Sequence, residues 1–165
     1  MKKYVSLVLT AVIILTSFSG CFSGYEKGMS PGHIAKTLGP QIVEYINNND
    51  AESLKELYGE KVHNTDSCDL DEELQKLFDF VNGTITSYSR IKLGSEEASY
   101  ESGKAVKNSF DIRIEDAETD TGEMYLIVLG YVSVNNEHPD RVGMYVLSVF
   151  DSDDYKISTS AGIIY

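Results

Sequence analysis

Residues 70–93 read LDEELQKLFDFVNGTITSYSRIKL, and the spacing of apolar side chains changes within them. Leu70, Leu74, Leu77, Phe78 and Val81 recur every three to four residues, the interval that gathers side chains on one face of a helix. Asp69 and Glu72 at its start have the spacing of a capping box, and Asn82-Gly83 stops it. Beyond Gly83 the period falls to two: Ile85, Ser87, Ser89, Ile91 and Leu93 alternate with Thr84, Thr86, Tyr88, Arg90 and Lys92, as in a half-buried strand. A helix therefore gives way to sheet at Asn82-Gly83.

Working outward, everything before this point reads as helix and everything after it as strand. Ser30-Pro31 is a helix start, with a hydroxyl to cap and a proline at the first helical position. Ile34, Leu38, Ile42, Tyr45 and Ile46 follow on one face, and Gly39-Pro40 should kink or split the helix. Asn47-Asn48-Asn49 ends it; Asp50 caps a second, short helix carrying Leu54, Leu57 and Tyr58, which Gly59 closes before a loop. On the other side, strands are predicted at Ser99–Ala105, Ser109–Glu115, Glu123–Val134, Arg141–Phe150 and Tyr155–Tyr165, with polar turns at Asp116–Gly122, Asn135–Asp140 and Asp151–Asp154. Short turns between consecutive strands predict an antiparallel sheet, and helices placed before it predict α+β: three N-terminal helices on a strongly curved sheet of about four to six strands.

Two strands are apolar on both faces. Met124, Leu126, Val128 and Val132 oppose Tyr125, Ile127, Leu129 and Tyr131, and Val142, Met144 and Val146 oppose Tyr145, Leu147 and Val149. Both faces need cover. Helices supply one side; sheet curvature, a second copy or a ligand would supply the other. Gly130, within YLIVLGYVSV, is a candidate bend or bulge.

The amino terminus gives an address. Lys2 and Lys3 precede an apolar stretch of 12 residues, Tyr4 to Leu15, and Phe18-Ser19-Gly20-Cys21 closes it as a lipoprotein signal closes. An uncleaved transmembrane helix is the alternative, but Ser17, Ser19, Gly20, Ser23 and Gly24 interrupt the second half of the stretch. Phe18 stands where such signals usually carry Leu. The chain thus divides into a signal peptide (1–20), a lipidated Cys21 with a tether (21–30) and one domain (31–165), placed on the outer face of the cytoplasmic membrane. A two-chain lipid holds stably where one chain binds reversibly, and the tether FSGYEKGMS spans at most about 30 Å at ~3.3–3.6 Å per residue.

Without Lys2 and Lys3 the chain carries 12 Lys and Arg against 26 Asp and Glu, a formal charge of −14. Such acidity opposes nucleic acid, which is bound through clustered cations. Cys21 apart, Cys68 alone remains, so no internal disulfide is available. Asp66, Asp69 and Asp71 beside it oppose a reactive thiolate.

The chain from Ile34 to Tyr165 resembles a family of lipoproteins of unknown function from Gram-positive bacteria. The likeness rests on Gly20-Cys21, on Asn49-Asp50 followed by Leu54-x-x-Leu57, on Phe78-Asp79-Phe80-Val81-Asn82-Gly83 with Ser87-Tyr88, and on Pro139-Asp140-Arg141-Val142-Gly143. Such families are similar to the cone-shaped α+β fold of nuclear transport factor 2, which implies helices on a curved antiparallel sheet enclosing a pocket. The resemblance implies no catalytic residue.

Chemistry-bearing patterns are few. His33, His63 and His138 lack zinc spacing. Asp151-Ser152-Asp153-Asp154 starts like a calcium loop, but Lys156 and Gly162 stand at its glycine and glutamate positions. The acids from Asp66 to Glu73 fit a helix N-terminus. No hydrolase elbow, Walker loop, dinucleotide fingerprint or zincin motif appears, and no cofactor or metal is expected. Eleven tyrosines and no tryptophan leave Tyr88, Tyr125 and Tyr131, together with Arg113 beside Asp111, as candidates for a ligand or partner surface. Asp111 and Arg113 read as an exposed ion pair, or as the rim of a pocket where the sheet is concave. The expected function is a lipid-anchored binding or interaction module for a small ligand or envelope protein. The alternatives are a small-molecule enzyme with a Tyr or Asp acid–base pocket inside the cone, and a structural homodimer.

Overall fold

A computed structural model describes residues 29–66, 68–152 and 158–163. The expected Cys21 lipid site, most of the tether and the 153–157 turn lie outside these residues. The fold is α+β: α1 (Pro31–Asn48), α2 (Ala51–Glu56), α3 (Glu60–His63) and α4 (Leu70–Phe80) precede a six-stranded sheet, with one 3-10 turn (Pro139–Arg141) inside it. The strands are β1 (Ile85–Ser87), β2 (Arg90–Glu101), β3 (Lys104–Thr119), β4 (Met124–Asn135), β5 (Gly143–Asp151) and β6 (Ser158–Gly162). Every pairing between these strands is antiparallel. β3, β4, β5 and β6 follow in order, and β1 and β2 share the far edge of β3, so the sheet does not close.

Helix ends follow their sequence signals. Ser30 accepts the His33 N–H at 3.3 Å, Asp50 accepts Ser53 N–H at 3.0 Å, and Asp69 accepts Glu72 N–H at 3.1 Å. The capping box is half formed, because Glu72 pairs at 2.6 Å with Lys76 one turn ahead. Asn49 takes the left-handed conformation (φ 51°) that ends α1. Three expectations need correction. Gly39-Pro40 does not split α1: Pro40 and Lys36 are exposed, so the carbonyl left without an N–H faces water, and a Cβ on Gly39 would lie 2.5 Å from Ile91 Cδ1. The glycine lets α1 settle on β2. The loop after α2 contains the single-turn α3, and Gly59 opens that turn rather than closing α2. The strand expected from Thr84 to Leu93 breaks at Tyr88-Ser89, while the short strand at Ser99–Ala105 is the tip of a long β2–β3 hairpin. That hairpin turns on Ser102 and Gly103, both with positive φ (50° and 78°), the geometry whose twist suits a two-residue loop.

One face of the sheet meets the helices. Phe110, Ile112 and Ile114 on β3, Ile127, Leu129 and Tyr131 on β4, and Leu147 and Val149 on β5 are buried with Leu38, Ile42, Leu54, Leu74 and Leu77 in one core. Asn47 fastens α1 to β1 by standing in for a strand neighbour: its Nδ2 donates to the Ile85 carbonyl at 2.9 Å and its Oδ1 accepts the Ile85 N–H at 2.8 Å. Register shifts at Gly94-Ser95, Glu115-Asp116, Ser133 and Tyr145 put extra residues into the strands, and each such bulge raises local twist. The bulge opposite Gly130 belongs to β5, and Gly130 makes room for it. A Cβ there would sit 2.3 Å from the Tyr145 ring.

Candidate functional site

The face turned away from the helices carries the feature that the core does not explain. Along β4 and β5 it presents Leu126, Val128, Val146 and Phe150, all half-buried and none part of the core cluster. Register sets Leu126 opposite Phe150 and Val128 opposite Ser148, whose hydroxyl lies 2.7 Å from that of Ser160. Charged residues of β2 and β3 border this apolar strip: Arg90, Lys92, Asp111, Arg113, Glu115 and Asp116. A depression of about 430 Å³ lies where the two meet, lined by Arg90, Arg113, Glu115, Asp116, Leu126 and Ser152.

Its charges are unequally committed. Glu115 accepts from both Arg90 and Lys92, and those bonds, Lys92's first, hold its carboxyl below the ordinary value. Asp111 accepts the Ser95 hydroxyl at 2.5 Å and makes no ion pair with Arg113. Arg113 Nε is shielded from solvent with no hydrogen-bond partner among the described residues. Nearly all buried polar groups in proteins are paired, so this one stands out.

The other candidates are dispersed. Tyr125 and Tyr131 do share a face with Ile127 and Leu129, but it is the helix-covered face, where they are 3% and 4% exposed. Tyr131 packs on Phe110, the ring centroids 5.7 Å apart. Tyr125 packs edge-on against Phe80; its hydroxyl donates to Glu123, lies 3.3 Å from the Phe80 carbonyl and accepts the Asn82 N–H at 3.1 Å. Burial first, and Glu123 second, push that hydroxyl's pKa up. Tyr88 sits in the break between β1 and β2, 37% exposed. The structure thus leaves Arg113 alone at the depression and places the two buried tyrosines behind the sheet. Arg90, Glu115, Asp116, Leu126 and Ser152 line the depression without standing out in the sequence. The signal available was the doubly apolar pattern of β4 and β5, which marks the strands without marking which face stays open.

Cys68 is held rather than activated. Its Sγ donates to Glu73 Oε2 at 3.1 Å, and Gly162 N–H donates to the same oxygen at 2.8 Å. Burial, then the Glu73 carboxylate, raise the thiol from 9.0 to about 11, so the helix end fails to make a thiolate. His63 Nε2 lies 3.0 Å from the Lys55 carbonyl, and no group of three or more metal-ligating side chains occurs among the described residues. None of the described helices is long and apolar enough to cross a membrane.

Two of the motifs that carried the family resemblance, at Leu57 and at Gly83, lie at joints of the fold. Leu57 carbonyl accepts Met144 N–H at 2.8 Å and Gly59 N–H donates to the Met144 carbonyl at 2.9 Å, tying the α2–α3 corner to β5 beyond Pro139–Gly143. Gly83, with φ 92°, sits where a Cβ would lie 2.4 Å from Asp120 Oδ1, the oxygen that accepts Thr84 N–H. Residues 41–154 match a family model described as a domain of unknown function (DUF5104). The chain belongs to this family. The match begins within α1 and runs through β5, so it spans the joints and the depression alike. No curated protein matches the chain.

Proposed function

We propose that this DUF5104 chain is a lipid-anchored, extracytoplasmic module that binds a small ligand or an envelope partner on the helix-free face of its sheet. The observation that carries the reading is that the helix-covered face is filled by its own core, whereas Leu126, Val128, Val146 and Phe150 stay half-buried beside an unpartnered Arg113. Apolar surface next to a few placed polar groups is the usual composition of a binding site. The same reading takes Cys21 as the lipid attachment and the helix-first, sheet-second order as a relative of the nuclear transport factor 2 cone. A charge of −14 after signal removal keeps such a domain off an anionic bilayer surface, which leaves its sheet free to engage other molecules.

The test is site-specific photocrosslinking in the producing cell. A photoreactive residue at Val128 or Val146 should yield a discrete adduct, while one at Lys36 or Glu44, on the exposed side of α1, should not; adducts from α1 alone would refute the reading. An adduct of twice the chain's mass would identify the partner as a second copy. The anchor is tested separately: radiolabelled fatty acid should enter the wild-type chain and not Cys21→Ser, and equal labelling would remove the lipid.

A further inference from the structure

We propose that the depression at Arg113 is a binding subsite for a singly charged carboxylate bearing an apolar tail; this rests on the helix-free face being the working surface. Arg113 lies mid-strand in β3, paired with Lys92 of β2 on one side and Val128 of β4 on the other. Its guanidinium reaches over the backbone of β2, which Gly94 permits: a Cβ there would lie 2.9 Å from Arg113 Nε and 3.1 Å from Asp111 Cβ. A guanidinium N–H shielded from water with no acceptor is costly, and more so because the group is charged. An acceptor arriving with a ligand removes that cost.

The surrounding charges select the ligand's class. Three cations (Arg90, Lys92, Arg113) face three acids (Asp111, Glu115, Asp116) around the depression, on a chain whose formal charge is −12. Glu115 already holds Arg90 and Lys92, Asp111 keeps its charge while accepting the Ser95 hydroxyl, and Asp116 adds a further acid to the lining. One guanidinium remains, so a doubly charged phosphate finds too little positive charge. A carboxylate matches the fork of an arginine through two parallel N–H···O bonds. Leu126 forms the apolar wall, and Phe150 and Val128 continue it along the same face. At about 430 Å³ the depression falls in the range of small-ligand sites.

The experiment is calorimetric titration of the mature chain, residues 21–165, with octanoate, 1-octanol and octylamine. Octanoate should bind at least about tenfold more tightly than the other two, and Arg113→Gln should lose about tenfold or more for octanoate alone. Arg113→Lys should recover only part, since an ammonium lacks the fork. N-acetyl dileucine tells a peptide carboxyl end from a fatty acid, and preference for either over 1-octanol supports the inference. The ligand comparison needs no variant, so it stands even where Arg113→Gln misfolds. Equal binding of octanoate and 1-octanol would overturn the carboxylate and keep the apolar face as the binding surface. Absence of all binding would overturn it too, and the crosslinks from Val128 would then report whether the wider reading survives.

Discussion

At the scale of single residues, Cys68 and Asn47 show how much a side chain's partner decides. Cys68 shares Glu73 Oε2 with the Gly162 N–H, so a residue between α3 and α4 holds the last strand through one carboxylate. Its folded pKa, raised from 9.0 to about 11, fixes the sign of a pH effect. Between those values the unfolded chain gives up the thiol proton and the folded chain keeps it, so stability is full below pH 9 and falls as pH rises toward 11. Tyr58, raised well above 10 by burial, steepens the same fall from pH 10 upward. Chemical denaturation from pH 8 to 11 should show this decline, and Cys68→Ser should remove the part between pH 9 and 10. Native Cys68 should also react more slowly with a disulfide reagent at pH 8 than the unfolded chain does. Asn47→Ala removes both bonds to Ile85 and leaves that backbone pair without partners; the expected loss is about 1–3 kcal/mol in a urea titration.

Elements are joined where two backbones approach, and glycine is required there. Gly143 has φ 128°, and a Cβ on it would stand 2.7 Å from Gly59 N. Gly143→Ala therefore meets both a strained conformation and a main-chain clash, and should lose about 2–4 kcal/mol in thermal or urea unfolding. At Gly130 the clash is with the Tyr145 side chain instead. Gly130→Ala should cost less, and its cost should shrink further beside Tyr145→Ser, a coupling that a double-mutant cycle measures. These joints also mark what was legible in the sequence. Ser30, Asp50 and Asp69 announced their helices because a cap is a local bond between residues three apart. The change from helical spacing before Gly83 to alternation beyond it announced the sheet, because it too is a local pattern. The continuity of α1 through Pro40, the break at Tyr88-Ser89 and the bulge at Tyr145 were not legible, because each depends on a partner far along the chain: Ile91 against Gly39, Asp116-Ala117 across from the β1–β2 gap, Gly130 beneath a ring. The site was legible only in part. Arg113 was recognisable as a charge on a strand, but the Asp111–Ser95 bond was not foreseeable, because a bulge in β2 brings Ser95 within reach.

On the scale of the whole molecule, the two faces of β4 make opposite demands. Ile127 is wholly buried among helices, whereas its neighbour Val128 stands half-buried on the open face. Ile127→Gln should cost about 3–5 kcal/mol, since it places a polar group in the core, while Val128→Gln should stay within about 1 kcal/mol of wild type. That contrast makes Val128→Gln a probe of function that leaves the fold in place. Native mass spectrometry of residues 21–165, purified without added ligand, applies it most directly. A bound small molecule or partner is expected on the wild-type chain, and its loss from Val128→Gln at unchanged circular dichroism. A bare wild-type monomer, or a bound species that Val128→Gln retains in full, would contradict the claim that the open sheet face is the working surface.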